Sequence, residues 1–256
     1  MATVVSIHSF RGGTGKSNTA SNVAAQLATA GHRVAVVDTD IQSPGVHVLF
    51  GFDDAVTGTL NDFLWGERSI TDAAHDVTAS VPHTGSGAPA GKLYLVPSSM
   101  RAGDIARVLR EGYDVGMLND GFRALVRDLD LDFLMIDTHP GLNEETLLSI
   151  AVSDVLLLVL RPDRQDFQGT AVTVDVARRL EVPNLFLVAN KVPSGIDGAD
   201  LEAQLCDTYG APTVGVLPLT EDVAINASAG LFSLSSPEHP WSAQIRRITE
   251  AVGGLR

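Results

Sequence analysis

Short apolar runs alternate with amphipathic segments along nearly the whole chain, and this alternation limits the fold more than any other feature. The apolar runs are rich in β-branched residues and predict strands over 3–9, 34–38, 92–96, 133–137, 155–160, 185–189 and 213–217. Helical periodicity predicts helices over 17–30, 101–111, 115–129, 143–152, 166–180, 198–208 and 240–252. Strands that are apolar throughout and separated by helices predict one doubly wound, mostly parallel α/β sheet with helices on both faces.

The length of 256 residues suits one large α/β domain, so we expect residues 1–256 to form a single domain. Residues 82–91 are rich in glycine, proline and serine and predict a flexible surface loop. Gly31 stands where the first helix should end, and residues 240–256 should form a C-terminal helix.

Cysteine content and hydropathy narrow the class of protein. Cys206 is the only cysteine, which excludes an intrachain disulfide and any metal site built from several cysteines of one chain. The longest apolar run, Val155 to Leu160, is far shorter than the roughly 20 residues of a membrane span. No charged and then apolar leader opens the chain. We therefore expect a soluble, cytoplasmic protein.

A net charge of −13 argues against broad nonspecific affinity for nucleic acid. Local basic patches keep nucleic acid open as a partner, although the same arginines could simply be solvated helix faces. These patches comprise Arg101, Arg107, Arg110, Arg178, Arg179, Arg246 and Arg247.

The glycine-rich segment 11–17 (RGGTGKS) lies between the first predicted strand and the first predicted helix. Glycines allow backbone N–H groups to curl around phosphate oxygens, and a helix N-terminus adds its positive dipole end. Lys16 is expected to reach the β- and γ-phosphates, and the Ser17 hydroxyl to bind Mg²⁺. The predicted nucleotide contacts here are Gly12, Gly13, Thr14, Gly15, Lys16, Ser17 and Asn18.

The common phosphate-loop pattern has a glycine where this chain has Phe10, and the segment instead resembles the deviant Walker A motif of the MinD/ParA family of P-loop NTPases. The resemblance implies Mg-ATP binding and a nucleotide-sandwich homodimer. The family's first motif residue is normally a lysine that reaches the partner's phosphates, and here it is Arg11. We predict that Arg11 acts in trans as an arginine finger, worth on the order of 10³–10⁵ in rate. The alternative is that Arg11 helps to bind its own ATP.

Two acidic strand ends extend the resemblance. Segment 36–45 (VVDTDIQSPG) resembles the family's switch I, which implies that Asp40 orients the attacking water and that Asp38 supports the loop and the metal. Capping of the next helix is the alternative. Segment 133–143 (FLMIDTHPGLN) resembles a Walker B strand with switch II, so Asp137 would hold Mg²⁺ and Gly141 would contact the γ-phosphate. His139 departs from the family pattern, and we expect it to face solvent.

Asn190 follows another predicted strand, and by resemblance it contacts adenine. Pro193 stands where guanine-binding motifs carry an aspartate, which favours ATP over GTP. Pro218, Leu219 and Thr220 would line the other side of the base.

The resemblance implies a slow, partner-stimulated ATPase that acts as a switch in positioning or partitioning a cargo, with a protein activator or cargo adaptor as partner. The alternative is a metabolic ATP-dependent synthetase on the same fold, and a catalytically inactive relative is also open. An iron–sulfur reductase is excluded by the lone Cys206. Membrane attachment would use the apolar stripe of the last helix, but we expect that stripe to pack on the sheet instead.

Overall fold

A computed structural model describes residues 2–52, 56–81 and 91–255. Within these residues the strands join one sheet in the order β3-β4-β2-β5-β1-β6-β7-β8, parallel except for β3, which pairs antiparallel with β4. The strands are β1 Thr3–His8, β2 Arg33–Asp38, β3 His75–Asp76, β4 Lys92–Val96, β5 Phe133–Asp137, β6 Val155–Leu160, β7 Asn184–Val192 and β8 Thr213–Pro218.

Helices connect the strands and cover the sheet. They are α1 Lys16–Thr29, α2 Val46–Leu49, α3 Leu60–Leu64, α4 Ala102–Glu111, α5 Val115–Asp128, α6 Glu144–Ala151, α7 Arg164–Arg179, α8 Gly198–Tyr209, α9 Glu221–Ile225, α10 Phe232–Ser235 and α11 Pro240–Gly253. In the described part of the chain, no helix is both long and apolar enough to cross a bilayer.

The two faces of the sheet bury alternate residues of each strand. Val34 and Val36 of β2 pack with α1, α2, α10 and α11 on one face. Ala35 and Val37 pack with α3 and α5 on the other face, where a further cluster joins β6 and β7 to α7 and α8. The doubly wound, mostly parallel fold predicted from the sequence is therefore confirmed.

The last helix packs on the sheet, as expected. Trp241, Ile245, Ile248 and Val252 belong to the core shared with α1, and only Leu255 of the apolar stripe is exposed. A membrane-binding role for this stripe would need these four side chains to leave the core.

Several elements were not predicted. The antiparallel edge strand β3 and the one-turn helices α2, α3 and α10 are too short to show a period in sequence. The predicted loop at 82–91 lies outside the described residues except for Gly91. At Gly91 an added Cβ would lie 2.1 Å from the Ala28 carbonyl oxygen, so only glycine fits there.

Candidate nucleotide site

The segment between β1 and α1 forms a nest of backbone N–H groups at the carboxyl edge of the sheet. Gly13 and Gly15 adopt positive φ of 76° and 94°, which favours glycine at both positions. Among the described residues, the backbone N–H groups of Gly12 to Ser17 donate no hydrogen bonds. These donors and the N-terminus of α1 together are suited to bind an anion.

A cavity of about 500 Å³ opens over this nest. Segments that follow β1, β2, β5 and β8 contribute to its wall together with Lys191 near the carboxyl end of β7, as the parallel topology predicts. Its lining comprises Gly12, Gly13, Gly15, Lys16, Ser17, Asn18, Asp40, Ser43, Gly45, Leu49, Pro140, Lys191 and Ser228.

Asp137 supplies a buried carboxylate at the base of the nest. The side chain is fully buried, and neither carboxylate oxygen has a hydrogen bond of good geometry in the described residues. Burial raises the pKa of Asp137, while Lys16 and the nearby Ser17 hydroxyl act in the opposite direction. A buried carboxylate without a partner beside a hydroxyl fits a divalent cation, because Mg²⁺ prefers such oxygen ligands and keeps the carboxylate charged.

Asp38 lies opposite Asp137 in the register of β2 and β5 but serves a different purpose. Its Oδ1 accepts the N–H of Asp40 at 3.1 Å, and its Oδ2 accepts those of Gly45 and Val46 at 3.1 and 3.3 Å. Burial and the neighbouring Asp137 raise the pKa of Asp38. Backbone donors contact both oxygens, so Asp38 supports the loop 39–46, and its predicted role at the metal stays a prediction.

Asp40 lies at the rim of the cavity, and its Oδ1 accepts the Ser43 N–H at 3.1 Å. Burial raises its pKa, and His139 and Lys16 lower it. Nε2 of His139 lies 3.9 Å from Oδ1 of Asp40, and the His139 side chain is only 24% exposed. The expectation that His139 faces solvent was therefore wrong, because the turn after β5 folds its ring towards Asp40.

Gly141 does not point its N–H into the cavity in this conformation. The amide donates to the Ser9 carbonyl at 3.2 Å, and φ is 87°. The predicted contact between Gly141 and a γ-phosphate is therefore not available in this conformation and would require the turn 138–141 to move.

A buried histidine that the sequence did not single out anchors the same turn. His8 Nδ1 lies 2.7 Å from Thr138 Oγ1, and that hydroxyl donates to the Ile7 carbonyl at 3.0 Å. His8 Nδ1 and the Thr138 hydroxyl therefore share a hydrogen bond inside the buried turn. Burial lowers the pKa of His8 to about 3, which keeps the ring neutral.

Arg11 lies beside the cavity but not in it. Its guanidinium donates to Gln165 Oε1 and lies 3.9 Å from Asp166 Oδ1, both in the first turn of α7. The side chain is 43% exposed. Among the described residues, Arg11 is not part of the lining of the phosphate-loop cavity.

A second pocket of about 300 Å³ lies beside the first. Pro218, Leu219 and Thr220, which were predicted to contact the base, line it, together with Asn18 and with Val223, Ala224 and Trp241, which the sequence did not indicate. Its mostly apolar lining suits an aromatic base.

Asn190 borders the base pocket but also braces the phosphate loop. Its amide Nδ2 donates to the Thr14 carbonyl at 2.8 Å, and its Oδ1 accepts the Lys191 N–H at 2.8 Å. Lys191 Nζ donates to the Gly13 carbonyl at 2.8 Å. A Cβ on Gly15 would lie 2.4 Å from Asn190 Nδ2, so this close approach requires glycine. One N–H of the Asn190 amide and one lone pair of its Oδ1 remain for a base.

Ser228 also lines the cavity, and the sequence did not indicate it. It lies in a non-glycine stretch with positive φ at Ala227 and Ser228, and such a stretch has no sequence signature.

Most arginines of the predicted basic patches are paired with acidic side chains. Arg107 stacks on Trp65 and pairs with Glu67 and Glu111. Further pairs are Arg101–Asp104, Arg179–Asp175 and Arg247–Glu202.

The chain matches the ParA family, described as NUBPL iron-transfer P-loop NTPases, over residues 1–253. The chain is a member of the ParA family of P-loop NTPases. This confirms the resemblance of the RGGTGKS segment, despite Phe10 and Arg11.

Among relatives, an uncharacterised ATP-binding protein of Methanocaldococcus jannaschii is 27% identical over 258 residues, covering 100% of this ParA-family chain and 89% of that protein. An iron–sulfur cluster carrier protein of Deinococcus radiodurans is 26% identical, covering 98% of this chain and 69% of that protein. The structure of the septum site-determining protein MinD of Pyrococcus horikoshii with Mg-ADP superposes with a TM-score of 0.79 at 20% identity, covering 100% of this chain and 97% of the other. This likeness shows that the two proteins share the same fold.

Proposed function

We propose that this protein binds and hydrolyses Mg-ATP and uses the nucleotide to join two copies of itself, as a MinD/ParA-type switch that positions or partitions a cargo inside the cell. The observation that carries the proposal is the nest of unused backbone donors above Lys16 and the unpartnered Asp137 carboxylate. The oxygens of a triphosphate would accept hydrogen bonds from these N–H groups, and Mg²⁺ would bind to the Asp137 carboxylate.

Ser17 and Asp137 would hold the metal, and bound Mg²⁺ would neutralise charge that develops on the phosphates. Lys16 binds the β- and γ-phosphate oxygens, and the amides of the nest orient them. Asp40 lies at the cavity rim, where its carboxylate orients the attacking water. The turn at Gly141 exchanges its bond to Ser9 for one to the γ-phosphate.

Dimerisation is supported by apolar exposure at the same edge of the sheet. Several large apolar side chains that follow the carboxyl ends of strands remain exposed, and such residues favour an interface. They are Phe10, Val48, Met100, Leu147, Leu219 and Ile225. A second copy facing this edge would cover them while Arg11 crosses to its phosphates.

We do not propose that this protein carries an iron–sulfur cluster, although a relative is named as an iron–sulfur cluster carrier. Within these 256 residues Cys206 is the only cysteine, whereas a cluster of the common type takes four thiolates. The Cys206 sulfur contacts Thr213 at the start of β8, at the edge of the sheet opposite the nucleotide. A homodimer would therefore supply two thiols, both far from the ATP sites.

The synthetase alternative gains no specific support, because the side chains around the cavity are those of the nucleotide site itself. We also do not extend the proposal to nucleic acid, since acidic side chains pair with most of the arginine patches. A protein activator or cargo adaptor remains the proposed partner.

Mixing two inactive variants tests the shared site. Arg11→Ala lacks the finger and Asp40→Ala lacks its own water-orienting carboxylate. In a mixed dimer, the site on the Arg11→Ala subunit keeps Asp40 and receives Arg11 from the other subunit. An equimolar mixture should recover about a quarter of wild-type turnover, because half of random dimers are mixed and each has one complete site.

Phosphate release measured on the mixture and on each variant alone checks this expectation. If Arg11 acts only within its own subunit, no mixed dimer has a complete site, and the mixture should stay at the level of the separate variants. That result would contradict the shared site while leaving ATP binding intact.

A further inference from the structure

His139 and Asp40 place two hydrogen-bond acceptors side by side at the rim of the phosphate cavity. Nδ1 of His139 lies 2.6 Å from the carbonyl oxygen of Pro140. A carbonyl oxygen can only accept, so Nδ1 carries the hydrogen of this bond. In the neutral ring Nε2 is then an acceptor, and Nε2 is the atom that lies 3.9 Å from Oδ1 of Asp40.

The spacing of these two acceptors suits one water molecule. A separation of 3.9 Å is too long for a direct hydrogen bond, and two acceptors cannot bond to each other. A water beside both atoms can donate one hydrogen to each at ordinary hydrogen-bond distances. The side chains of His139 and Asp40 are only 24% and 12% exposed, which strengthens such hydrogen bonds. A water bound in this way keeps the lone pairs of its oxygen for a third atom.

The surroundings of the pair indicate which atom that is. Asp40 lines the phosphate cavity together with Lys16, and so does Pro140, the residue that follows His139. In the proposed function, Lys16 binds the β- and γ-phosphates in this cavity. We propose that His139 is a catalytic residue that holds the attacking water jointly with Asp40. The inference rests on the ATP hydrolysis of the proposed function and adds a second water ligand to it.

The step is a substitution at the γ-phosphorus. The water oxygen forms the new bond to phosphorus, and the bond to the β,γ-bridging oxygen breaks with its electron pair left on ADP. One hydrogen of the water stays on the phosphate product, and the other leaves to solvent as a proton. The two side chains contribute orientation, because a water with both hydrogens held directs its oxygen away from them.

Two substitutions at position 139 separate the acceptor from the ring. His139→Ala removes Nε2, whereas His139→Gln keeps an acceptor oxygen at about the same reach. His32→Ala is the matched control, because His32 precedes β2 at the opposite edge of the sheet and lies 3.8 Å from Asp132. In mildly alkaline buffer, which keeps imidazole neutral, His139→Ala should lower single-turnover phosphate release about tenfold. His139→Gln should recover much of this loss, and His32→Ala should match wild type.

A second readout is independent of turnover. Mg-ADP with aluminium fluoride mimics the transition state with the attacking water in place, whereas Mg-ADP with beryllium fluoride mimics bound ATP before attack. Calorimetry should show about tenfold weaker binding of the aluminium fluoride complex to His139→Ala and unchanged binding of the beryllium fluoride complex. Adding His139→Ala to Asp40→Ala should weaken the aluminium fluoride complex by less than the product of the two single effects, because both residues hold one water.

The outcomes separate this inference from the proposed function. Equal losses for both fluoride complexes would make His139 a structural residue and would overturn the inference. Values for His139→Ala equal to those for His32→Ala would overturn it as well, and the proposed function would stand as long as wild type binds the beryllium fluoride complex. If wild type binds neither complex, the proposed function fails and the role of His139 fails with it.

Discussion

Arg11→Ala is expected to lower ATP turnover about 10³-fold or more while changing the affinity of a single subunit for Mg-ATP little. The guanidinium lies on α7 and does not line the phosphate cavity of its own subunit, so its removal leaves that cavity intact. Its contribution would arise only where charge develops on the partner's phosphates. Single-turnover phosphate release measures the first quantity, and calorimetry with Mg-ATP measures the second.

Two further variants sharpen this prediction. Arg11→Lys keeps the charge that the family's lysine supplies but loses the planar fork, so it should retain most of the turnover that alanine removes. Arg179→Ala removes an arginine from the far end of α7, where it pairs with Asp175 on the surface, and should leave turnover unchanged. Normal turnover by Arg11→Ala would refute the finger role.

Lys16→Ala should weaken Mg-ATP binding about 30-fold or more and thereby remove ATP-dependent dimerisation. The ammonium group is buried at the base of the nest, where a hydrogen bond to a phosphate is charge-assisted and poorly screened. Truncation of one partner of such a pair typically costs about 2–5 kcal/mol, which corresponds to roughly 30- to several thousand-fold in affinity. Calorimetry on the wild type and the variant measures the change.

The chain supplies its own control, because it contains only three lysines, Lys16, Lys92 and Lys191. Lys92 forms a half-exposed surface pair with Asp76 at 3.2 Å, so Lys92→Ala should bind Mg-ATP like wild type. Lys191 is unsuitable as a control because it donates to Gly13 of the loop. Equal affinity of Lys16→Ala and Lys92→Ala would exclude Lys16 as a phosphate ligand.

The sheet could be predicted from sequence because its buried strands are uniformly apolar. Val155 to Leu160 has the bounds that its run of apolar residues indicates. β7 is longer than predicted, since Asn190 and Lys191 look like loop residues but continue the strand through an irregularity in its pairing with β8. Elements of one turn, such as α2, have too few residues for a period to be visible.

Sequence could also place the site residues at one edge of the sheet, but it could not give their contacts. Arg11 and Gln165 are 154 positions apart, and nothing in either segment signals their pairing. Asn190 was expected to read the base, yet its amide mainly braces Thr14. His139 was expected to face solvent because loop residues usually do, whereas the backbone of its turn directs it to Asp40. Such contacts depend on tertiary geometry that local patterns do not encode.

The central claim is that the last phosphate of bound ATP joins two copies of the chain. Sedimentation of Asp40→Ala with Mg-ADP and then with Mg-ATP tests it most directly, since this variant should bind ATP without consuming it. We expect the mass of one chain with Mg-ADP and of two chains with Mg-ATP. A single-chain mass under both conditions, with ATP shown to be bound, would contradict the account.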